Sequence, residues 1–213
     1  MSPCFGQLAK CCLGLSQQTL HGCVHPVLVL ILYAHFEGFC KFSLLSYVDA
    51  INQEEISCFK ASPPIVAASL HEILKGLKNP ESKSDLFRHA APDDRKLHSY
   101  ARDLEFIEHA REIMRSVMRI PDSTVDTESN LKPVVLKKNL FRLGLEIDTL
   151  NDHEGTIGKL LGLRNNIAHG ASKNGIALEE YEKLRDSAFK VMSAVLHVVY
   201  DAFIGKAYIR QVA

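Results

Sequence analysis

Apolar residues recur at steps of three and four through most of this chain, while strict two-residue alternation never lasts more than a few positions. That is the period of helices packed on one face. The longest run opens at Pro26, a residue suited to the first turn of a helix, and continues to about Ile51. Its stripe of Leu28, Ile31, Leu32, Phe36, Phe39, Phe42, Leu45 and Val48 is expected to face a core. Residues 65–77 predict a short helix stopped by Asn79-Pro80, and 81–94 a polar loop with one helical turn at Leu86-Phe87. Residues 95–119 predict a charged helix with Leu97, Leu104, Ile107, Ile113 and Val117 inward. A helix over 131–143 is capped by Gly144. Residues 121–128 form a turn-rich connection and 151–155 a loop, after which Thr156 serves as N-cap for a helix over 157–168. A tight loop at 172–175 leads into a last long helix over 178–204, with Leu184, Phe189, Val191, Val195, Leu196, Val199 and Phe203 on its apolar side. The pattern predicts an all-α bundle, without internal repeats or a glycine-rich phosphate loop.

The composition narrows the class. With 213 residues, 46% hydrophobic and 23% charged, the chain fits one soluble domain with a small appendage. Residues 1–25 form an atypical Cys-rich segment and 26–213 the helical domain. The net charge of zero removes any global basic field, so a nucleic-acid site must be a local patch or one built by two subunits. All six cysteines (Cys4, Cys11, Cys12, Cys23, Cys40 and Cys58) fall in the first 58 residues, unlike a disulfide scaffold that staples its whole fold. Cys11, Cys12, His21, Cys23 and His25 are zinc-ligand types without the C-x2-C spacing of a zinc knuckle, and no metal or cofactor is expected. The apolar run 27–34 is much shorter than the roughly 20 residues a membrane span needs. No signal-peptide pattern precedes it. The expectation is a cytoplasmic protein without a membrane partner.

The chemistry concentrates in Leu163-Arg164-Asn165-Asn166-Ile167-Ala168-His169-Gly170. Arg164 is permanently charged and forks onto phosphate oxygens. His169 exchanges a proton near neutrality. Asn165 lies four residues before His169, on the same helical face. These groups suffice for metal-free cleavage of RNA. The plainer alternative is a helix C-terminus, with Gly170 as left-handed cap and a cation near the last carbonyls. Glu37 and Lys41 are an i,i+4 pair, read either as a surface salt bridge or with Glu37 buttressing Arg164. Tyr33 and His35 read as core or edge residues, His197 as a hydrogen-bonded core residue, and His89, His98, His109 and His153 as surface. Arg95, Lys96, Arg102, Arg111, Arg115 and Arg119 read as a solvated face, with guidance of RNA as the alternative.

The arginine–histidine motif after an apolar helix resembles the R-x4-6-H signature of HEPN domains. Leu32-Tyr33-Ala34-His35-Phe36-Glu37-Gly38-Phe39-Cys40-Lys41 resembles the first core helix of the MAE_28990/MAE_18760-like HEPN nuclease family. Ser129-Asn130-Leu131, leading to Leu143-Gly144-Leu145, is similar to another segment of it. Related HEPN families found beside RNA-repair genes share such segments. The resemblance runs from about Val27 to about Gly205. It implies a HEPN-type up-and-down bundle, paired as a two-fold dimer whose motif helices face each other. It further implies an endoribonuclease of toxin–antitoxin or phage-defence type, with His169 as general acid/base, Arg164 as phosphate clamp and Asn165 as orienting residue. Cleavage by 2′-hydroxyl attack would leave a 2′,3′-cyclic phosphate. The implied partners are RNA, a second copy, and an antitoxin or defence component. The competing function is a non-catalytic HEPN module that binds RNA or docks a partner; a helper for a nucleotidyltransferase is a third.

Overall fold

The computed structural model describes residues 23–87, 89, 93–170 and 175–211. In chain order these form β1 (Cys23–Val24), α1 (Pro26–Gln53), α2 (Pro63–Ser69), α3 (His71–Lys78), α4 (Arg95–Arg115), α5 (Pro133–Arg142), α6 (Glu154–Ala168), β2 (Ile176–Ala177) and α7 (Leu178–Ile204). The fold is all-α, and β1 and β2 make one short antiparallel pair. Prolines open α1, α2 and α5, where a missing N–H costs nothing. The helix expected over 65–77 is two helices, because the chain leaves helical geometry at Leu70 (ψ 7°). Single 3-10 turns cover Asp85–Phe87 and Asp122–Thr124, and another, Asp148–His153, runs directly into α6. The motif helix therefore starts three residues before the expected Ile157, with Thr156 already inside it. The expected 172–175 loop and the zinc-ligand candidates Cys11, Cys12 and His21 fall wholly or mainly outside the described residues.

α1 is the axis of the core. Its buried side is Val29, Leu32, Tyr33, Phe36, Cys40, Leu44, Tyr47, Val48 and Ile51, packed against α6 and α7. Each such side chain taken out of water contributes roughly 1.5–3 kcal/mol. The expected stripe matches this side only in part: Leu32, Phe36 and Val48 are buried and Phe39 and Leu45 half-buried, but Leu28, Ile31 and Phe42 are exposed, Phe42 by 70%. α1 is apolar almost all round in its first half, so steps of three and four fit two faces equally well. α7 buries Leu184, Ala188, Val191, Val195 and Val199, while Phe189 and Leu196 face outward. Both helices are long and apolar enough to cross a membrane by length and composition. Each nonetheless uses one stripe to build the core.

α4 departs most from expectation. Leu104, Ile107 and Val117 are exposed, and α4 turns His98, Ala101 and Arg102 inward against α3 and the loop before it. The buried face is polar because it holds a loop rather than a helix. Arg102 donates to the carbonyls of Leu77, Asn79 and Ser82. Ser84 donates its N–H to His98 Nδ1 (3.1 Å) and its hydroxyl to Glu105 (2.6 Å). His98 and Arg102 are thus structural clamps rather than surface residues. His197 is the reverse: its Nδ1 lies 2.7 Å from the Ser193 carbonyl, on the exposed side of α7.

Helix directions follow from the ends. β1 and β2 join the starts of α1 and α7, and Tyr208, just past α7, shares the core cluster with Tyr47 late in α1 and lies close enough to raise its pKa, so these helices run parallel. α6 runs the other way, bringing Arg164 near its end to Tyr33 near the start of α1. At the far end Asn52 clamps Ile120 with two bonds, donating to its carbonyl (2.9 Å) and accepting its N–H (2.8 Å).

α5 ends in a Schellman turn: Leu145 N–H donates to the Leu140 carbonyl (2.9 Å) and Gly144 N–H to that of Phe141 (3.1 Å). Gly144 sits at φ +65, and a Cβ there would come within 3.0 Å of Pro64. Gly144→Ala is therefore expected to lower stability by about 1–3 kcal/mol, the usual cost of left-handed backbone in a residue with a Cβ. A urea midpoint unchanged from wild type would contradict this.

Candidate active site

Ile157, Leu160 and Leu161 bury one side of α6, with Leu163 and Ile167 half-buried beside them. This fixes where the last turn points. Arg164 lies half-buried on the flank facing α1, its guanidinium carbon 5.4 Å from the centroid of the Tyr33 ring. Its Nη1 donates to Asn165 Oδ1 (2.9 Å), its one hydrogen bond among the described residues. With no further hydrogen bond among the described residues, its remaining N–H groups can fork onto an anion.

Tyr33 is the platform. Its ring is 3% exposed, and its hydroxyl accepts the Leu131 N–H at 2.8 Å. Burial pushes the phenol pKa up, and the charge and hydrogen bond of Glu37 add to this. The Leu131 N–H and the Arg164 cation pull the other way without reversing it. The ring is therefore a neutral aromatic face beneath a fixed cation, an arrangement worth roughly 0.5–2 kcal/mol. Glu37 lies one turn further along α1, half-buried, and acts on this cluster by charge. It makes no ion pair with Lys41 among the described residues; Lys41 is exposed and stands apart from the Arg164–Tyr33 contact. Burial pushes the nearby Cys40 thiol up to about 12, with Glu37 adding to the shift, so it stays protonated at neutral pH.

His169 is the C-cap of α6. Its N–H donates to the Asn165 carbonyl (2.9 Å), and Gly170 follows at φ +68. Its ring is exposed and has no hydrogen bond or ion pair among the described residues. Arg164 and His169 leave the helix in different directions, as their five-residue separation requires. On the outward side of α6, Gly155, Gly158, Gly162, Asn166 and His169 share one face at three- and four-residue steps. A Cβ on any of the three glycines would meet nothing within 4 Å.

The structure thus joins Arg164, Asn165, Tyr33 and Glu37, and leaves His169 and Lys41 outward. Tyr33 is the residue that sequence reasoning missed as part of the site. Its i,i+4 spacing to Glu37 is visible in the chain, but its meeting with Arg164 is not. Among the described residues no group of three or more His, Cys, Asp or Glu is placed to hold a metal. An apolar groove of about 540 Å³, lined by Pro63, Pro64, Phe141 and Arg142 among others, contains none of the motif residues.

A family model described as HEPN_MAE_28990/-like HEPN matches residues 9–208, taking in the motif, the α1 segment and part of the Cys-rich start. Comparison with curated proteins and with solved structures gave no match.

Tyr33→Phe removes the acceptor of a buried backbone N–H. Its expected cost is about 1–3 kcal/mol, that of an unpaired buried donor. A denaturation midpoint equal to wild type would show that the Leu131 N–H finds another partner.

Proposed function

The chain belongs to the HEPN_MAE_28990/-like HEPN family, and on that premise we propose that it is a metal-independent endoribonuclease working as a two-fold dimer. HEPN domains are generally RNases or nucleotide-binding modules. The observation that carries the nuclease reading is the held state of Arg164. A permanent cation lies against a buried ring, with one N–H committed to Asn165 and no other hydrogen bond among the described residues, five positions before an exposed imidazole. A helix C-terminus needs a cap and at most a nearby cation; it gives an arginine set against a ring and bonded to an amide nothing to do.

In the proposed reaction a neutral His169 takes the 2′-hydroxyl proton of RNA. The resulting oxyanion attacks the adjacent phosphorus, the bond to the 5′-oxygen breaks, and a histidinium protonates that oxygen. The products are a 2′,3′-cyclic phosphate and a 5′-hydroxyl. Arg164 stabilises the non-bridging oxygens as charge accumulates on them, and Asn165 orients Arg164. DNA has no 2′-hydroxyl and is not a substrate. Glu37 supports the cation from α1.

One His169 per chain supplies base or acid, and a second copy supplies the other. The outward face of α6 supports this pairing. A glycine inside a helix costs about 1 kcal/mol relative to alanine, and three of them, where a Cβ would meet nothing within 4 Å among the described residues, lie on the face that ends in Asn166 and His169. Such a face admits a second helix backbone at close range. In the cell the reading is of a cytoplasmic toxin or defence nuclease, held in check by an antitoxin or a defence partner.

His169→Ala and Arg164→Ala are each expected to abolish cleavage of total RNA in the presence of chelator while leaving the helical signal intact. The histidine loss corresponds to about 10²–10⁴ in rate, the arginine loss to several kcal/mol of transition-state stabilisation. Cleavage surviving both changes would place the active site elsewhere. No cleavage by wild type on several RNAs would favour a binding module. Gly162→Leu is expected to convert the dimer to monomer in light scattering and to stop cleavage; a strictly monomeric wild type that still cuts RNA would overturn the paired site.

A further inference from the structure

We propose that Tyr33 is a positioning residue for Arg164, and that the turn at 128–131 holds Tyr33 in place to do so. This rests on the reading of Arg164 as the phosphate clamp. Three observations carry it.

The first is the contact between the guanidinium and the ring. An arginine side chain has four rotatable bonds, and a half-buried one with a single side-chain hydrogen bond would otherwise sample many orientations. With the guanidinium carbon 5.4 Å from its centroid, the Tyr33 ring restricts that sampling. The second observation is that Tyr33 cannot rotate away. It is buried, and its hydroxyl is fixed by the Leu131 N–H.

The third is how that N–H is delivered. Glu128 and Ser129 are consecutive non-glycine residues at positive φ, 49° and 64°. Left-handed backbone with a Cβ costs on the order of 1–3 kcal/mol per residue and persists only where the surroundings over-determine it. Here they do. Buried Asn139 donates to the Asp126 carbonyl (2.7 Å) and accepts the Asp126 N–H (3.1 Å), while Asp126 Oδ1 accepts the Glu128 N–H (2.8 Å). Lys138 pairs with Glu128 at 2.9 Å, and the Asn130 N–H donates to the Thr127 carbonyl. A turn that holds two residues in left-handed geometry and delivers one N–H to one tyrosine is a built support for that tyrosine. The line runs from Asn139 through the turn to Tyr33, and from Tyr33 to Arg164.

Positioning and plain stability make different predictions for two variants. Tyr33→Phe keeps the ring and loses the hydroxyl; Tyr33→Leu loses the ring while staying apolar. If Tyr33 positions Arg164, cleavage follows the ring. Tyr33→Phe keeps the ring but loses its tie to Leu131, so it is less stable and falls about 3–10-fold in kcat, whereas Tyr33→Leu loses about 10–100-fold with KM little changed, the scale expected when a reacting group is misplaced by about 1 Å. If Tyr33 is structural only, activity at a temperature where all three are folded is the same in all three. A second measurement stands apart from cleavage. In NMR of the dimer with labelled arginine, the Arg164 δ-methylene protons should be shifted upfield by the Tyr33 ring current in wild type and in Tyr33→Phe. Resonances at ordinary arginine positions in both would overturn the proposal even if Tyr33→Leu fails to fold. Wild type without RNA cleavage but with the upfield shift would sink the nuclease reading and leave the positioning intact; cleavage equal in folded Tyr33→Leu and wild type would sink the positioning alone.

Discussion

The burial of a single face of α1 is the constraint on which the rest of the structure depends. Val29, Phe36, Cys40, Leu44, Val48 and Ile51 take one side of a 28-residue helix out of water, and α6 and α7 find their places against it. Two side chains on the same helix hold the remaining segments by polar bonds. Asn52 grips the backbone at Ile120, and Tyr33 grips it at Leu131. Connections with little apolar surface of their own are thereby tied to the core by backbone groups that would otherwise be buried unpaired.

The same economy recurs away from the axis. α4 is almost detached in hydrophobic terms, yet Arg102 and His98 fix the loop over 77–87 against it by taking up its carbonyls and an N–H. Asn139 does this for the segment around Asp126. A buried amide or guanidinium satisfies two or three backbone groups at once, which a leucine in the same place cannot do. It specifies one loop conformation where apolar packing would permit several.

The candidate site inherits its order from this arrangement. Arg164 has a fixed orientation because it rests on Tyr33, and Tyr33 is fixed because the core and Leu131 hold it. His169 is placed differently, at the exposed end of α6 beside a glycine in left-handed geometry. The cation is ordered within the chain, while the imidazole and the glycine face next to it look outward, where the proposed second copy would sit.

Much of this was legible in the chain. The helical period, Pro26 and Gly144 as boundaries, the turn at Leu86-Phe87 and the motif with its Gly170 cap all depend on neighbours within a few residues, and local sterics and hydrogen bonding decide them. The family match likewise depends on residue order alone. What the sequence could not settle was which face of a helix meets another. α1 offers two apolar faces, and only packing against α6 and α7 chose the one without Leu28, Ile31 and Phe42. The charges of His98 and Arg102 suggested solvent until a loop more than a dozen residues away closed over them. Tyr33 and Arg164 are 131 positions apart. Sequence supplied both residues and the cap that ends α6; the tertiary fold alone put one beneath the other, because that meeting depends on the crossing of two helices rather than on any period within either.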